Sequence, residues 1–196
     1  MPTRIFLGHG ASGNAASMRP YVTGLAARGI EAIAIDLPVR LAEDAVPVWT
    51  SKVPDGPGTS VGGQSYGGRV ASLAAADPAR HYDALVCFSY PLHPPGSPAK
   101  AAARTSHWPA IRCPVLLISG EADPMAPLAR LREAVTQLPD ARLVTFPKLG
   151  NLNSANIPMI LSIAEREGLI ADGSVVVTFS GGVGETWSGL CVRWGR

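Results

Sequence analysis

The residues best suited to chemistry are Gly62-Gly63-Gln64-Ser65-Tyr66-Gly67-Gly68-Arg69. A serine hydroxyl is a weak nucleophile until a base takes its proton and a tight turn presents it to a substrate. Residues 58–61 read as a short strand before this segment, and residues 70–76 as a helix after it, stopped by Asp77-Pro78. Gly63-x-Ser65-x-Gly67 therefore falls on a strand-to-helix turn. Such a turn strains the serine backbone, so its flanks must lack a Cβ. The hydroxyl would stand at the positive end of the helix. The competing reading is a glycine-rich turn that only lets the helix pack closely on the strand.

A base and an acid are needed next, and the chain has four histidines. His9 lies in the small-residue loop Gly8-His9-Gly10-Ala11-Ser12-Gly13-Asn14, where it can brace the loop or move protons. His93 lies in the proline-rich loop 91–98 and could approach Ser65. His81 reads as a surface residue and His107, beside Trp108, as packing. Asp123, in Gly120-Glu121-Ala122-Asp123-Pro124, is either a turn or cap residue or the acid that orients a histidine. Arg69 suits a structural ion pair, and Glu121 a solvated loop.

The elements that must hold these residues alternate. Strands are expected at 3–7, 30–35, 58–61, 84–89, 114–119 and 141–146. Helices are expected at 16–28, 99–105 and 128–138, with a weaker candidate at 41–53 because Pro47 disfavours its middle. Strands alternating with helices predict an α/β fold, a mostly parallel sheet with helices on both faces. Ligands of such sheets bind beyond the carboxyl ends of the strands. The His9 loop, Ser65, His93 and Asp123 each follow such an end.

The 196 residues carry 17 Lys and Arg against 15 Asp and Glu. That balance, without basic runs, points to neither nucleic acid nor a membrane surface as partner. Three dispersed cysteines, Cys87, Cys113 and Cys191, exclude a CxxC metal site; the first two read as core residues. No metal is expected. Arg4-Ile5-Phe6-Leu7 is too short for a secretory signal, so the cytoplasm is the expected location.

Residues 1–149 resemble the α/β-hydrolase superfamily, and within it small dienelactone-hydrolase-like proteins. The resemblance rests on Leu7-Gly8-His9-Gly10-Ala11, on Gly63 to Ser72, on Tyr90-Pro91-Leu92-His93-Pro94-Pro95-Gly96 and on Ile118 to Pro124. It implies Ser65 as nucleophile, Asp123 as triad acid and an oxyanion hole from the backbone N–H of Tyr66 and of Ala11 or a neighbour. His9, Gly10 and Gln64 would line the site, and no cofactor is implied. In this superfamily the triad histidine follows the acid along the chain. Here no histidine lies beyond His107, and Gly150 is followed by Asn151. Asparagine cannot accept and return a proton near neutral pH. The base is therefore His93 or His9, or it is missing.

Residues 150–196 resemble the C-terminus of 3-oxoacyl-acyl-carrier-protein synthase III. The matching stretches are Gly150-Asn151-Leu152-Asn153-Ser154-Ala155-Asn156-Ile157-Pro158, then Ala164 to Ser174 and Phe179 to Gly189. That likeness implies a helix over 154–167, a hairpin of strands 174–179 and 187–194, and Asn151 as the synthase asparagine. Its catalytic partners have no counterpart in this chain; Cys191 matches no nucleophile motif. The expected organisation is a hydrolase-like domain, 1–149, joined to a helix and hairpin, 150–196, packed on it. The expected function is a serine hydrolase of small esters or thioesters by ancestry. The alternatives are a catalytically impaired interaction module or fusion product and, more remotely, a synthase fragment.

Overall fold

The computed structural model describes residues 4–147, 165–166, 168–181 and 187–195. The chain divides into two compact units, Met1–Leu149 and Gly150–Arg196; each is described by itself.

The first unit is built on six parallel strands, β1 Arg4–Gly8, β2 Glu31–Ile35, β3 Thr59–Gln64, β4 Ala84–Phe88, β5 Val115–Gly120 and β6 Ala141–Phe146. Their order is β2-β1-β3-β4-β5-β6. The chain moves from β1 outward to β2, then returns past β1 to β3. The order thus reverses between β1 and β3, where Gly8 pairs with Gly63. Such a reversal opens a crevice at the carboxyl ends of the strands.

Alternation along the strands divides the core between the two faces of the sheet. Ile5, Leu7 and Met18 pack with Tyr21 and Leu25 of α1 Arg19–Ala26 on one side. Phe6, Val61, Leu85 and Leu117 pack with Trp49 of α2 Ala42–Lys52 and Val70 of α3 Tyr66–Ala75 in the other cluster. Helices α4 Ala101–Thr105 and α5 Leu128–Val135 flank β5 in sequence.

The structure forms α2 in spite of Pro47. An interior proline costs about 3 kcal/mol. Removing a buried Trp such as Trp49, which is fully inaccessible, costs about 3–5 kcal/mol. Burial of Trp49, Ala45 and Ala42 therefore outweighs the lost hydrogen bond, and Pro47 faces solvent. Other boundaries shift as well. β3 runs on to Gln64, and α3 begins directly after Ser65. Strand 84–89 ends at Phe88 because Ser89 turns to φ +50°.

In the second unit β7 Val175–Gly181 pairs antiparallel with β8 Trp187–Arg193, Val176 opposite Val192. Trp194 closes the open end: its N–H donates to the Ser174 carbonyl at 2.7 Å and its indole to Glu165 Oε1 at 3.2 Å. The helix expected over 154–167 lies, apart from residues 165 and 166, outside the described residues, as does Asn151.

Candidate active site

Ser65 sits between β3 and α3 with φ +49° and ψ −108°, a backbone state foreign to a residue with a Cβ. Its N–H donates to the Phe88 carbonyl at 2.8 Å, and its carbonyl accepts from Arg69 N–H at 3.0 Å. The bend is thus held from the sheet side and the helix side at once. The flanking glycines are a packing necessity. A Cβ on Gly67 would overlap the Gly8 carbonyl group, and one on Gly63 would overlap the Gly8 oxygen. The head of α3 therefore lies directly against the end of β1. Ser65 remains half-exposed. Tyr66 is the first residue of α3, so its N–H has no partner within the helix.

The loop after β1 rises beside this bend. Gly13 N–H donates to the Gly10 carbonyl at 2.9 Å, making a tight turn around Ala11. Gly10 faces the Gln64 side-chain amide, which a Cβ there would touch at 3.6 Å. His9 is buried beneath the loop. Its Nδ1 lies 2.7 Å from the Gly10 carbonyl, and its Nε2 accepts from Leu37 N–H at 3.0 Å. A carbonyl only accepts and an amide only donates, so Nδ1 carries the proton and both ring nitrogens are occupied.

His93 and Asp123 come together on neighbouring loops. His93 N–H reaches the Met125 carbonyl at 3.4 Å. Both side chains are buried. His93 Nδ1 lies 2.8 Å from the Pro94 carbonyl and must donate to it, which leaves Nε2 without a proton on the neutral ring. Asp123 Oδ1 accepts from Met125 N–H at 2.8 Å, while Oδ2 is buried with no hydrogen-bond partner among the described residues. Burial pushes the Asp123 carboxyl above the usual carboxylate range. The Met125 N–H, the His93 ring and the Ala126 N–H oppose that shift.

Ser89, read from the sequence as the end of a strand, lies next to the Ser65 bend in the sheet. Gln64 pairs with Phe88 and Phe88 with Ile118, so Ser65, Ser89 and Ser119 continue one row across β3, β4 and β5. Ser89, like Ser65, has a positive φ, and its N–H donates to the Ile118 carbonyl at 2.7 Å. Ser119 Oγ is buried and unpartnered among the described residues. Serine carries no preference for that backbone state, so no local signal could have marked Ser89.

Other residues have structural partners. Arg69, buried, pairs with Glu43 of α2. His107 Nε2 lies 2.8 Å from Ser72 Oγ, whose own proton goes to the Arg69 carbonyl; the ring therefore donates. Burial, and then the Arg69 charge, push His107 down to about 4. Glu121 is not a free surface carboxylate: it accepts from Thr145 Oγ1 at 2.8 Å. Burial pushes the Cys87 thiol up to about 12, so it stays unreactive. A cleft of about 480 Å3, lined by Asp77, Arg80, His81 and Arg112 among others, opens at the amino ends of β4 and β5, away from Ser65. No group of three or more metal-ligating side chains occurs among the described residues, and no helix among them is long and apolar enough to cross a membrane.

A parallel sheet with its order reversed beside a strained serine at a helix head is the architecture of an α/β hydrolase. The family model for the alpha/beta hydrolase domain matches residues 39–153. That is more than half of the chain, and the protein belongs to this family. Solved structures agree on the fold. The monoacylglycerol lipase of Paleococcus ferrophilus superposes with a TM-score of 0.63 at 15% identity, over 83% of this chain and 93% of that one. Esterase 2 of Thermogutta terrifontis, phosphorylated by paraoxon, superposes at 0.62 with 20% identity, over 84% and 81%.

The C-terminal part is similar to something else. The model for the 3-oxoacyl-acyl-carrier-protein synthase III C-terminus matches residues 128–194, overlapping the hydrolase match over 128–153. The beta-ketoacyl-acyl-carrier-protein synthase III of Symbiobacterium thermophilum is 43% identical over 58 residues, 30% of this chain and 18% of that protein. The chain thus spans about a fifth of the length of the curated relatives it matches.

Proposed function

We propose that the protein is a serine hydrolase of small esters or thioesters, with Ser65 as nucleophile, His93 as base and Asp123 as the charge that steadies it. Ser65 Oγ attacks the carbonyl carbon and its proton passes to His93 Nε2. The tetrahedral oxygen is held by the N–H groups of Tyr66 and Ala11, at the positive end of α3. The carbonyl bond reforms, the leaving oxygen or sulfur takes the proton from His93, and water then releases the acyl group by the same route. In this reading the Pro94 carbonyl does what the acid of a triad usually does: it fixes the tautomer by holding Nδ1–H. The anionic Asp123 favours the imidazolium from the side. His9 is the brace of the oxyanion loop, since neither ring nitrogen is free for a proton. The reaction needs no metal or organic cofactor.

The observation that carries the proposal is the +49° φ of Ser65 at the head of α3. An alkyl fluorophosphonate, which a serine hydroxyl attacks with loss of fluoride, is the test. The wild type should be labelled at Ser65 and Ser65→Ala should not. His93→Asn should slow labelling by about 10²–10⁴, the usual size of a general-base contribution. Labelling that appears only after Asn151→His would show a catalytically impaired hydrolase-like domain instead.

A further inference from the structure

Ser65 is held by the sheet and by α3, but His93 lies in the loop that follows β4. Where its ring stands depends on what fastens that loop. On one side the His93 N–H reaches the Met125 carbonyl at 3.4 Å, a length at which a hydrogen bond positions weakly. On the other side the loop is tied to Arg104 of α4. Two hydrogen bonds make that tie, and they run in opposite directions. Tyr90 Oη donates to the Arg104 carbonyl at 2.7 Å, and Arg104 Nη1 donates to the Pro91 carbonyl at 3.3 Å.

These bonds engage consecutive residues, so the chain entering His93 is held by a side chain and by the backbone. Tyr90 is buried, and its ring meets that of Trp108 edge-on at 5.0 Å. Leu92, between this pair and His93, is buried as well. The Arg104 side chain is half-buried and feels the charges of Arg69 and Glu43. Arg69 pairs with Glu43, and its backbone N–H closes the turn on the Ser65 carbonyl at 3.0 Å. Burial by itself would raise the Glu43 carboxyl. Its own backbone N–H, Arg69 and Arg104 together hold it below the usual carboxylate range. Glu43 thus answers two guanidinium groups, one on the helix of the nucleophile and one tied to the loop of the base.

We propose that Arg104 is a positioning residue for the hydrolysis: by holding the Tyr90-Pro91 segment it fixes where His93 Nε2 stands relative to Ser65. The inference rests on the reading of Ser65 and His93 above. In this role Arg104 touches no reacting atom and moves no proton. Its effect passes through the imidazole, and that gives it a signature. A residue that acts only through His93 loses its effect once His93 is gone, whereas one that merely supports the fold keeps it.

The test is a double-mutant cycle on the second-order rate at which ethyl fluorophosphonate labels Ser65. Arg104→Met, which keeps an aliphatic stem and loses the charge and the donors, is made in the wild type and in His93→Asn. Thermal unfolding of each variant verifies the fold. Arg104→Met should slow labelling of the wild type by about 10–100-fold, the scale of a misplaced catalytic group. It should change the His93→Asn rate by less than about twofold, the usual limit of additivity errors. Arg104→Lys, which can still donate to the Pro91 carbonyl, should keep most of the rate. Tyr90→Phe, which removes the other bond, should repeat the pattern of Arg104→Met. An equal loss in both backgrounds, or no loss in the wild type, overturns the positioning role and leaves Ser65 and His93 as assigned. A His93→Asn variant labelled as fast as the wild type overturns the base, and the positioning role with it.

Discussion

Replacing Ser65 by glycine should make the protein more stable as it abolishes reactivity, while replacing it by alanine should abolish reactivity alone. A residue with a Cβ held at φ +49° and ψ −108° stores about 1–3 kcal/mol of strain. Glycine adopts that state freely. It also loosens the unfolded chain, which takes back about 0.4–1 kcal/mol. The balance favours Ser65→Gly by roughly 0.5–2 kcal/mol. At about 2–4 °C per kcal/mol for a chain of 150–250 residues, that is a rise in Tm of a few degrees. Alanine keeps the Cβ and therefore the strain, so Ser65→Ala should melt close to the wild type. Neither variant has the hydroxyl, so neither should take up a fluorophosphonate. The decisive quantity is the Tm difference between the two variants, measured by calorimetry at one pH and one scan rate. A glycine variant that melts at or below the alanine variant would mean that the bend stores no strain and that the backbone argument for a nucleophile fails.

Three further outcomes follow from the same geometry. Gly67→Ala should be strongly destabilising, at or above the top of the roughly 1–3 kcal/mol range for overpacking; the obstructing atoms are the Gly8 backbone and cannot rotate away, and urea unfolding measures the loss. Asp123→Asn should raise stability at pH 7. Its carboxyl is shifted upward by burial, so the ionised form destabilises the fold above the folded-state pKa, and the gain should vanish as pH falls below the ordinary carboxylate range; equal gains at pH 7 and pH 4 would refute this. His107, pushed down to about 4 from an ordinary 6.5, stays neutral where the unfolded chain takes up a proton. Stability should therefore fall as pH drops from about 6.5 to 4, and His107→Gln, which can still donate to Ser72, should flatten that part of the profile.

Most of the strands and helices were legible because strand runs such as Val115 to Ile118 are continuously apolar, with Val115 and Leu117 buried. Helix α2 was read weakly because proline's local penalty is visible in the sequence, whereas the burial of Trp49 against α3 is not. The Ser65 bend could be read from glycine spacing, since backbone crowding leaves a mark on composition. Ser89 could not, because its turned backbone answers to the register of β4 with β5 rather than to its own neighbours. For His9 the sequence left bracing and proton transfer both open. The Leu37 amide and the Gly10 carbonyl, which occupy its two ring nitrogens, come from segments whose closeness only folding creates.

Residue order alone thus determined an alternating α/β chain, a serine on a strand-to-helix turn, the lack of any histidine in this sequence beyond His107 and a tail with a different likeness. Those are local or pairwise properties, written in spacing and in side-chain type. Tertiary structure decided the strand order, the meeting of the His93 and Asp123 loops and the hydrogen bond from Tyr66 Oη to the Pro38 carbonyl. Each of these depends on hydrogen bonds between residues far apart in the chain, and their partners exist only once the sheet has brought the strand ends together.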